Sequence, residues 1–345
     1  MLIAGDIGGT KTDLAIFSSE AGAHAPLAEE RVHSADYPSL GVMAKEFLAK
    51  AKKPVDRACF AVAGPVIDGR VKTTNLPWII DEDSLAKELN LNVNSVHLIN
   101  DLEAIARAVP ILRPSDVCTI NRGEPIAGGS IAVIAPGTGL GESFLTWDGS
   151  RYTAHSSEGG HSDFAPTNER QIHLLEYMLK SFDHVSFEHV CSGIGIPHIY
   201  RYLRDIEHLP EKPDVAKLID AAVDPSVVII SQALDPENPS KLCATAIDCF
   251  VSILGSEAGN LAVKFLATGG VYLAGGVAVH TLPVIKKPVF MEHFKRKGRF
   301  EKLMERIPLH VIVTPAGLTG AAACGLEGFG PDAVLTGSLR ETMLR

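Results

Sequence analysis

The sequence lacks what several classes of function require. It has no run of lysines or arginines, and 32 basic residues stand against 41 acidic ones, a formal net charge of −9. Gripping a phosphate backbone needs the opposite balance, so no nucleic-acid partner is expected. The densest basic cluster, Lys295, Arg296, Lys297 and Arg299 near Lys302, is diluted by Glu301 and Glu305 and reads as a solvated helix face. No stretch approaches about 18 uninterrupted apolar residues, so no membrane span is expected. The six cysteines, Cys59, Cys118, Cys191, Cys243, Cys249 and Cys324, form no C-x-x-C pair and read as reduced core or helix residues. The N-terminus runs straight into an apolar strand with no basic n-region, and a soluble, cytoplasmic protein is expected. No G-x-G-x-x-G follows a strand, which excludes a Rossmann dinucleotide site.

What is present is ordinary globular material. Of 345 residues, 46% are hydrophobic and 21% charged, enough apolar chain for two domains. Residues 1–4 are an apolar run, followed by the turn Asp6-Ile7-Gly8-Gly9-Thr10-Lys11-Thr12 and a second apolar stretch at 13–17. Strand, glycine turn, strand is a hairpin signature. Helical periodicity covers 40–51, and 57–62 reads as a buried strand, with 71–72 running on through Thr73-Thr74-Asn75. Asp81-Glu82-Asp83-Ser84 has the acidic composition of a helix start. A strand at 96–99 ends at Asn100-Asp101, and a helix follows over 102–108. Near residue 112 the pattern restarts: strand 131–134, turn Gly137-Thr138-Gly139-Leu140-Gly141, strand 143–147. Two similar halves, each offering a backbone cradle, suggest a ligand held between related domains. Later elements are a strand at 271–273 leading into Ala274-Gly275-Gly276, a strand at 310–313 and a small-residue helix at 316–326.

The first turn nearly matches the P-loop pattern from Gly5 to Thr12 but carries Thr10 where the second glycine belongs. It is also followed by a strand, whereas a P-loop opens a helix. A Walker-type nucleotide site is therefore rejected. What remains is either a plain glycine hairpin or one half of a phosphate clamp whose backbone N–H groups converge on an anion. The second threonine-bearing turn at 137–141 favours the clamp. Gly275-Gly276 reads as a close backbone approach, to a flat nucleotide or to a packed neighbour.

Asn100-Asp101 stands at the carboxyl end of an apolar strand, where open α/β sheets bind ligands. A carboxylate there can take the proton of an attacking hydroxyl, and an amide can orient the acceptor. The same pair would also serve as a helix N-cap. Glu158-Gly159-Gly160-His161 offers mixed donors and acceptors of the kind sugar hydroxyls need. A zinc site of His155, His161 and Cys191 lacks ligand spacing. Glu188 sits in Val185-Ser186-Phe187-Glu188-His189-Val190, which reads as a helix N-terminus with Glu188 in its first turn.

These motifs occur in an order that closely resembles the bacterial glucokinase family, the ATP-dependent branch outside the ROK sugar kinases and within the actin–hexokinase superfamily. The residues that carry the resemblance are Asp6-Ile7-Gly8-Gly9-Thr10, Leu98-Ile99-Asn100-Asp101-Leu102-Glu103-Ala104, Pro136-Gly137-Thr138-Gly139-Leu140-Gly141, Glu158-Gly159-Gly160-His161-Ser162-Asp163-Phe164-Ala165-Pro166, Cys191-Ser192-Gly193-Ile194-Gly195 and Leu273-Ala274-Gly275-Gly276. The resemblance implies an α/β fold of two actin-like (ribonuclease H-like) domains, each a mixed sheet flanked by helices, with a cleft between them. It implies a small domain of residues 1–112 completed by a C-terminal helix at about 318–345, and a large domain of 113–317.

It further implies ATP and glucose as substrates, Mg²⁺ with the ATP, transfer to the sugar 6-hydroxyl and a homodimer. Asp101 is carried over as catalytic base. Asn100, Glu158, His161 and Glu188 are carried over as glucose ligands together with Asp101. Gly5, Asp6, Ile7, Gly8, Gly9, Thr10, Gly137, Thr138, Gly139, Gly275 and Gly276 are carried over as the nucleotide site, with Asp6 holding Mg²⁺ through water. Residues 23–29 and 206–240 depart in length from the family picture, and the cysteine-rich zinc motif of the ROK branch is absent. Kinases for mannose, fructose or an N-acetylhexosamine, and a non-catalytic sugar sensor, remain as alternatives.

Overall fold

The structure is a computed structural model that describes residues 1–73 and 76–327. In chain order its strands are β1 Leu2–Ile7, β2 Lys11–Phe17, β3 Ala28–His33, β4 Arg57–Val62, β5 Arg70–Lys72, β6 Ile79–Asp81, β7 Val96–Asn100, β8 Val117–Asn121, β9 Ile131–Pro136, β10 Leu140–Trp147, β11 Tyr152–Ser157, β12 Gly270–Leu273 and β13 Leu309–Ile312. The helices are α1 Leu40–Ala51, α2 Glu82–Leu89, α3 Asp101–Ala108, α4 Glu169–Met178, α5 Gly195–Asp205, α6 Pro213–Ala221, α7 Pro225–Ala233, α8 Lys241–Lys264, α9 Gly276–His280, α10 Leu282–Ile285, α11 Pro288–Lys295, α12 Glu301–Arg306 and α13 Ala316–Glu327. The described residues form two compact units: 1–111 with 315–327, and Leu112–Thr314. Thr74 and Asn75, read from sequence as strand, and the part of the expected 318–345 helix beyond residue 327 lie outside the described residues.

The first unit is built on a five-stranded sheet in the order β3-β2-β1-β4-β7. β1 pairs antiparallel with β2 and parallel with β4, and β4 pairs parallel with β7. The alternation of β1 explains why both faces of this sheet are covered. Ile3 and Ile7 join Leu40, Met43 and Phe47 of α1 on one side, whereas Leu2 and Ala4 meet Ala321 and Ala322 of α13 on the other. The small residues of α13 permit that approach: a Cβ on Gly320 would collide with the Ala104 carbonyl of α3. Local signals set the helix ends. Ser39 caps α1 by accepting the Val42 N–H at 3.3 Å, and Asp81 caps α2 by accepting the Ser84 N–H at 2.9 Å. Asn90 closes α2 in the left-handed region at φ 55°.

The second unit repeats the plan. Its sheet runs β11-β10-β9-β12-β13-β8, and the first five strands have the same pairing senses as the first sheet: two antiparallel joints, then two parallel ones. The strand–turn–strand echo in the sequence is thus the visible part of a repeat that extends over whole sheets. β8 is an extra antiparallel edge strand.

Three sequence expectations need correction. β1 reaches Ile7 and β2 starts at Lys11, so the first turn is only Gly8-Gly9-Thr10; likewise β10 starts at Leu140, so the second turn is Gly137-Thr138-Gly139. The basic cluster is not one helix face: Lys295 ends α11, Arg299 lies in a short 3-10 turn, Lys302 is in α12, and Lys297 is half-buried and donates to the Ser256 carbonyl and the Asn260 amide. Among the described residues one helix, α8, has the length and composition of a membrane span, at 24 residues and a mean hydropathy of 1.3, although polar residues interrupt its apolar run. It is the central helix of the second unit, 83% buried over that window, packed by α5, α7 and α11. Glu188 is not in a helix: α5 begins only at Gly195, and Glu188 lies in a turn after the Asp163–Ser186 bridge.

Candidate active site

In the first unit the candidate residues converge at the carboxyl ends of β1 and β7. The turn Gly8-Gly9-Thr10 is tied shut by Gly8 N–H donating to the Lys11 carbonyl at 3.1 Å. It is braced from beneath by Ser34, whose hydroxyl donates to the Gly8 carbonyl at 2.7 Å and meets the Thr12 hydroxyl at 3.0 Å. Ser34 also donates its N–H to the Thr10 carbonyl at 3.0 Å. These bonds consume carbonyls on the inner side. The turn itself stays accessible, with Thr10 exposed. Gly5 and Ile7, expected in the loop, are instead buried strand residues. A Cβ on Gly5 would come within 2.8 Å of both Leu14 and Phe60, so its glycine serves sheet packing.

Asp6 is a strongly perturbed carboxyl. Burial first, then the neighbouring charges of Asp101 and Asp13, push it up to about 7; Arg31, which is paired with Asp13, acts in the opposite direction. Asn100 is the N-cap of α3: its Oδ1 accepts the N–H groups of Leu102 and Glu103 at 2.9 and 3.2 Å, and its Nδ2 donates to the Gly64 carbonyl at 3.2 Å. Both meanings that the sequence left open are therefore compatible in one residue, since the cap fixes the amide at the strand end. Asp101 opens the helix and accepts the Leu102 N–H at 2.9 Å. Its charge faces Asp6.

In the second unit, Glu188 is the hub. Its Oε2 accepts the Leu140 N–H at 2.9 Å, immediately after the Gly137–Gly139 turn, and its Oε1 lies 4.0 Å from Nδ1 of His161. Its own N–H donates to the Gly160 carbonyl at 2.9 Å. Nε2 of His161 lies 4.0 Å from Oε2 of Glu158, and both side chains are well exposed, 61% and 71%. The turn at 137–139 is held by the segment after Glu188: Gly193 N–H donates to the Gly137 carbonyl at 2.8 Å and Ile194 N–H to the Thr138 carbonyl at 3.1 Å. Gly275, at φ 85°, packs on the Pro136 carbonyl so closely that a Cβ would stand 2.5 Å away. The glycine therefore serves close packing of two turns, and Gly276 beside it faces open space. Glu158, His161, Glu188, the 137–139 turn and Gly275-Gly276 thus belong to one unit, while Asp6, the 8–10 turn, Asn100 and Asp101 belong to the other.

Sequence reasoning did not reach Ser34 or Glu142. Ser34 carries no motif signal, whereas Glu142 does: it is the lone charge of β10. His155 meets the Thr146 hydroxyl at 2.8 Å.

A family model for glucokinase matches residues 3–327. The chain is 41% identical over 340 residues to the glucokinase of Nostoc punctiforme, covering 94% of this chain and 98% of the relative. It is 33% identical over 324 residues to that of Enterobacter sp., covering 93% and 95%. Among solved structures, a glucokinase from an Antarctic psychrotroph superposes with a TM-score of 0.81 at 30% identity, over 95% of this chain and 99% of the other. A ROK-family glucokinase from Streptomyces griseus, solved with glucose and AMPPNP, shares the fold at a TM-score of 0.63 and 19% identity, over 95% and 99%.

Two repeated α/β units with glycine turns between paired strands, and acidic groups at the strand ends, define an ATP-dependent hexose kinase of the actin-like superfamily. Within that class, the chain belongs to the glucokinase family.

Proposed function

We propose that this protein is a cytoplasmic, homodimeric glucokinase that moves the γ-phosphoryl group of ATP to the 6-hydroxyl of glucose, giving glucose 6-phosphate and ADP. The observation that carries the reading is the double engagement of Glu188, which joins the 137–139 turn to the Glu158–His161 pair. A carboxylate so placed couples the seating of a polyhydroxyl ligand to the shape of a phosphate turn.

In this reading Glu158, His161 and Glu188 accept and donate hydrogen bonds around the sugar hydroxyls. Asn100, fixed by its capping bonds, orients the acceptor end, and Asp101 takes the proton of the 6-hydroxyl as its oxygen attacks phosphorus. The backbone N–H groups of 8–10 and 137–139 receive the phosphate oxygens. Gly275-Gly276 gives the nucleotide room against the backbone. Phosphoryl transfer asks mainly for positioning and charge stabilisation, which this sparse set supplies.

Mg²⁺ suits the donor set. Asp6 is a crowded carboxyl whose neighbours are acidic, and a cation relieves that repulsion. Among the described residues no third ligand closes a protein cage, as fits an ion that keeps its waters and uses substrate phosphates. Bound there, the ion would neutralise charge developing on the transferred group. Asp6 would hold it through water.

The test is ADP release with ATP and a panel of glucose, mannose, fructose and N-acetylated hexosamines. Glucose should give the highest kcat/KM. Preference for another hexose, or no sugar-dependent ADP, would overturn the assignment.

A further inference from the structure

Directly beneath the 158–161 turn lies a pair of buried acids that the mechanism above does not use. Glu142 is the third residue of β10, opposite Ser157 of β11, and is 1% exposed. Its Oε2 sits where a Cβ on Gly159 would be, so Gly159 rests on this carboxyl and no larger residue fits. Its Oε1 is buried with no hydrogen-bond partner among the described residues. Below it, in the middle of α8, Glu257 is fully buried. Glu257 accepts from the Asn260 amide at 2.7 Å and stands 3.5 Å from the Lys264 ammonium.

An unpaired buried carboxylate is costly, and two of them side by side cannot both ionise. The partners decide which one does. Lys264, Asn260 and, through Asn260, Lys297 all lie on the Glu257 side. The buried thiol of Cys191 also faces both acids and adds no positive charge. Burial raises the Glu257 carboxyl as well, but Asn260, Lys264 and Lys297 all act against that rise, so of the pair Glu257 gives up its proton first and Glu142 is the neutral acid. Burial first, then the Glu257 charge, push Glu142 up to about 8, and Lys264 only partly offsets this.

We propose that Glu142 is a positioning residue for the sugar site, its neutral carboxylic acid forming the floor on which the Glu158–His161 turn is seated. The turn's other anchors lie within it or on its far side: Gly159 N–H donates to the Ser157 hydroxyl at 3.0 Å, the Gly159 carbonyl accepts from the Ser162 hydroxyl at 2.7 Å, and the Gly160 carbonyl accepts from the Glu188 N–H at 2.9 Å. When Glu142 loses its proton, two anions face each other in a dry site, and the floor must move or take up water. The sugar ligands move with it. Asp101 belongs to the other unit and is untouched, so the expected signature is a change in KM for sugar with kcat kept.

The inference rests on the reading of Glu158 and His161 as sugar ligands, and the experiment separates the two. KM for glucose and kcat are measured from neutral pH to about pH 9.5 for the wild type, Glu142→Gln and Glu257→Gln. The wild-type KM should rise about tenfold across the window at nearly constant kcat, as a small displacement of binding groups produces. Glu142→Gln, which mimics the neutral acid, should keep the wild-type KM at neutral pH and lose the rise. Glu257→Gln should move the rise to lower pH. In parallel, the infrared difference between wild type and Glu142→Gln should show a protonated-carboxyl band at neutral pH that is lost above about pH 8; the proton on Asp6 is common to both proteins and cancels.

An alkaline rise that persists unchanged in Glu142→Gln, a neutral-pH loss of sugar affinity in that variant, or a missing carboxyl band would each overturn the proposal. A wild type with no glucose-dependent turnover but with the band would instead overturn the kinase reading.

Discussion

Glu188 accepts the Leu140 N–H at 2.9 Å with one carboxylate oxygen and holds the other 4.0 Å from His161. The bond to Leu140 is possible because Gly139 has no side chain; a Cβ there would collide with the same oxygen. Gly139→Ala should therefore push Glu188 off Leu140. A net hydrogen bond of this charge-assisted kind contributes about 1.5–3 kcal/mol. The expected outcome is a sugar KM raised about tenfold, with the melting temperature lowered by a few degrees. Isothermal titration with glucose checks it, and unchanged affinity would remove Glu188 from its role as a link.

Asp101→Asn should bind glucose normally and turn over 10²–10⁴-fold more slowly, the span general-base assistance covers. The substitution is mild for the fold, because an amide oxygen can still accept the Leu102 N–H that Asp101 accepts at 2.9 Å. Glucose binding and glucose-dependent ADP release, measured on both forms, decide the matter. Near-wild-type turnover would show that the proton leaves by another route.

Much of this was legible in the sequence, and the reasons differ by feature. The β1–β2 and β9–β10 hairpins announced themselves because glycine turns between apolar runs have few other uses. Asn100 was legible as a choice between cap and ligand support, and the fold allows both. Glu188 was misplaced because the composition of 185–190 imitates a helix start, while the segment is a turn whose Phe187 and Glu188 N–H groups donate to the Ser162 and Gly160 carbonyls. Such bonds join residues far apart in the chain and leave no local pattern. The apolar run of α8 is broken by Asp248, Glu257 and Asn260, and its place as a mostly buried core helix follows from packing that no run of residues displays. Ser34 is invisible in sequence because its role depends on the register of β3's end against the first turn.

Asp6 stands where function opposes stability. Its carboxyl is crowded by burial and by Asp101 and Asp13. Asp6→Asn removes the like-charge cost, so the variant should melt at the wild-type temperature or a few degrees higher while kcat falls at least about tenfold, the usual trade at a strained site. Differential scanning calorimetry alongside the ADP assay tests this. A loss of stability equal to that of activity would mean that Asp6 is a structural acid.

The buried acid Glu142 also sets a pH dependence of stability, whose sign follows from its shift. Its carboxyl goes from an ordinary 4.5 to about 8 in the folded chain. Between those values the folded protein keeps a proton that the unfolded chain releases, so stability falls as pH rises through the window and levels off above about 8. Each pKa unit is about 1.4 kcal/mol, but exchange of protons with Glu257 and relaxation of the site spread the effect. A loss of about 1–3 kcal/mol between about pH 5 and about pH 8 is expected from this group. Asp6 slopes the same way, so the wild type alone does not isolate Glu142. Glu142→Gln cannot titrate there, and the stability difference between variant and wild type should move in the variant's favour as pH rises. Urea unfolding of both proteins at about pH 5 and about pH 8 measures this. A difference that stays constant with pH would place the proton elsewhere and leave Glu142 ionised in the folded protein.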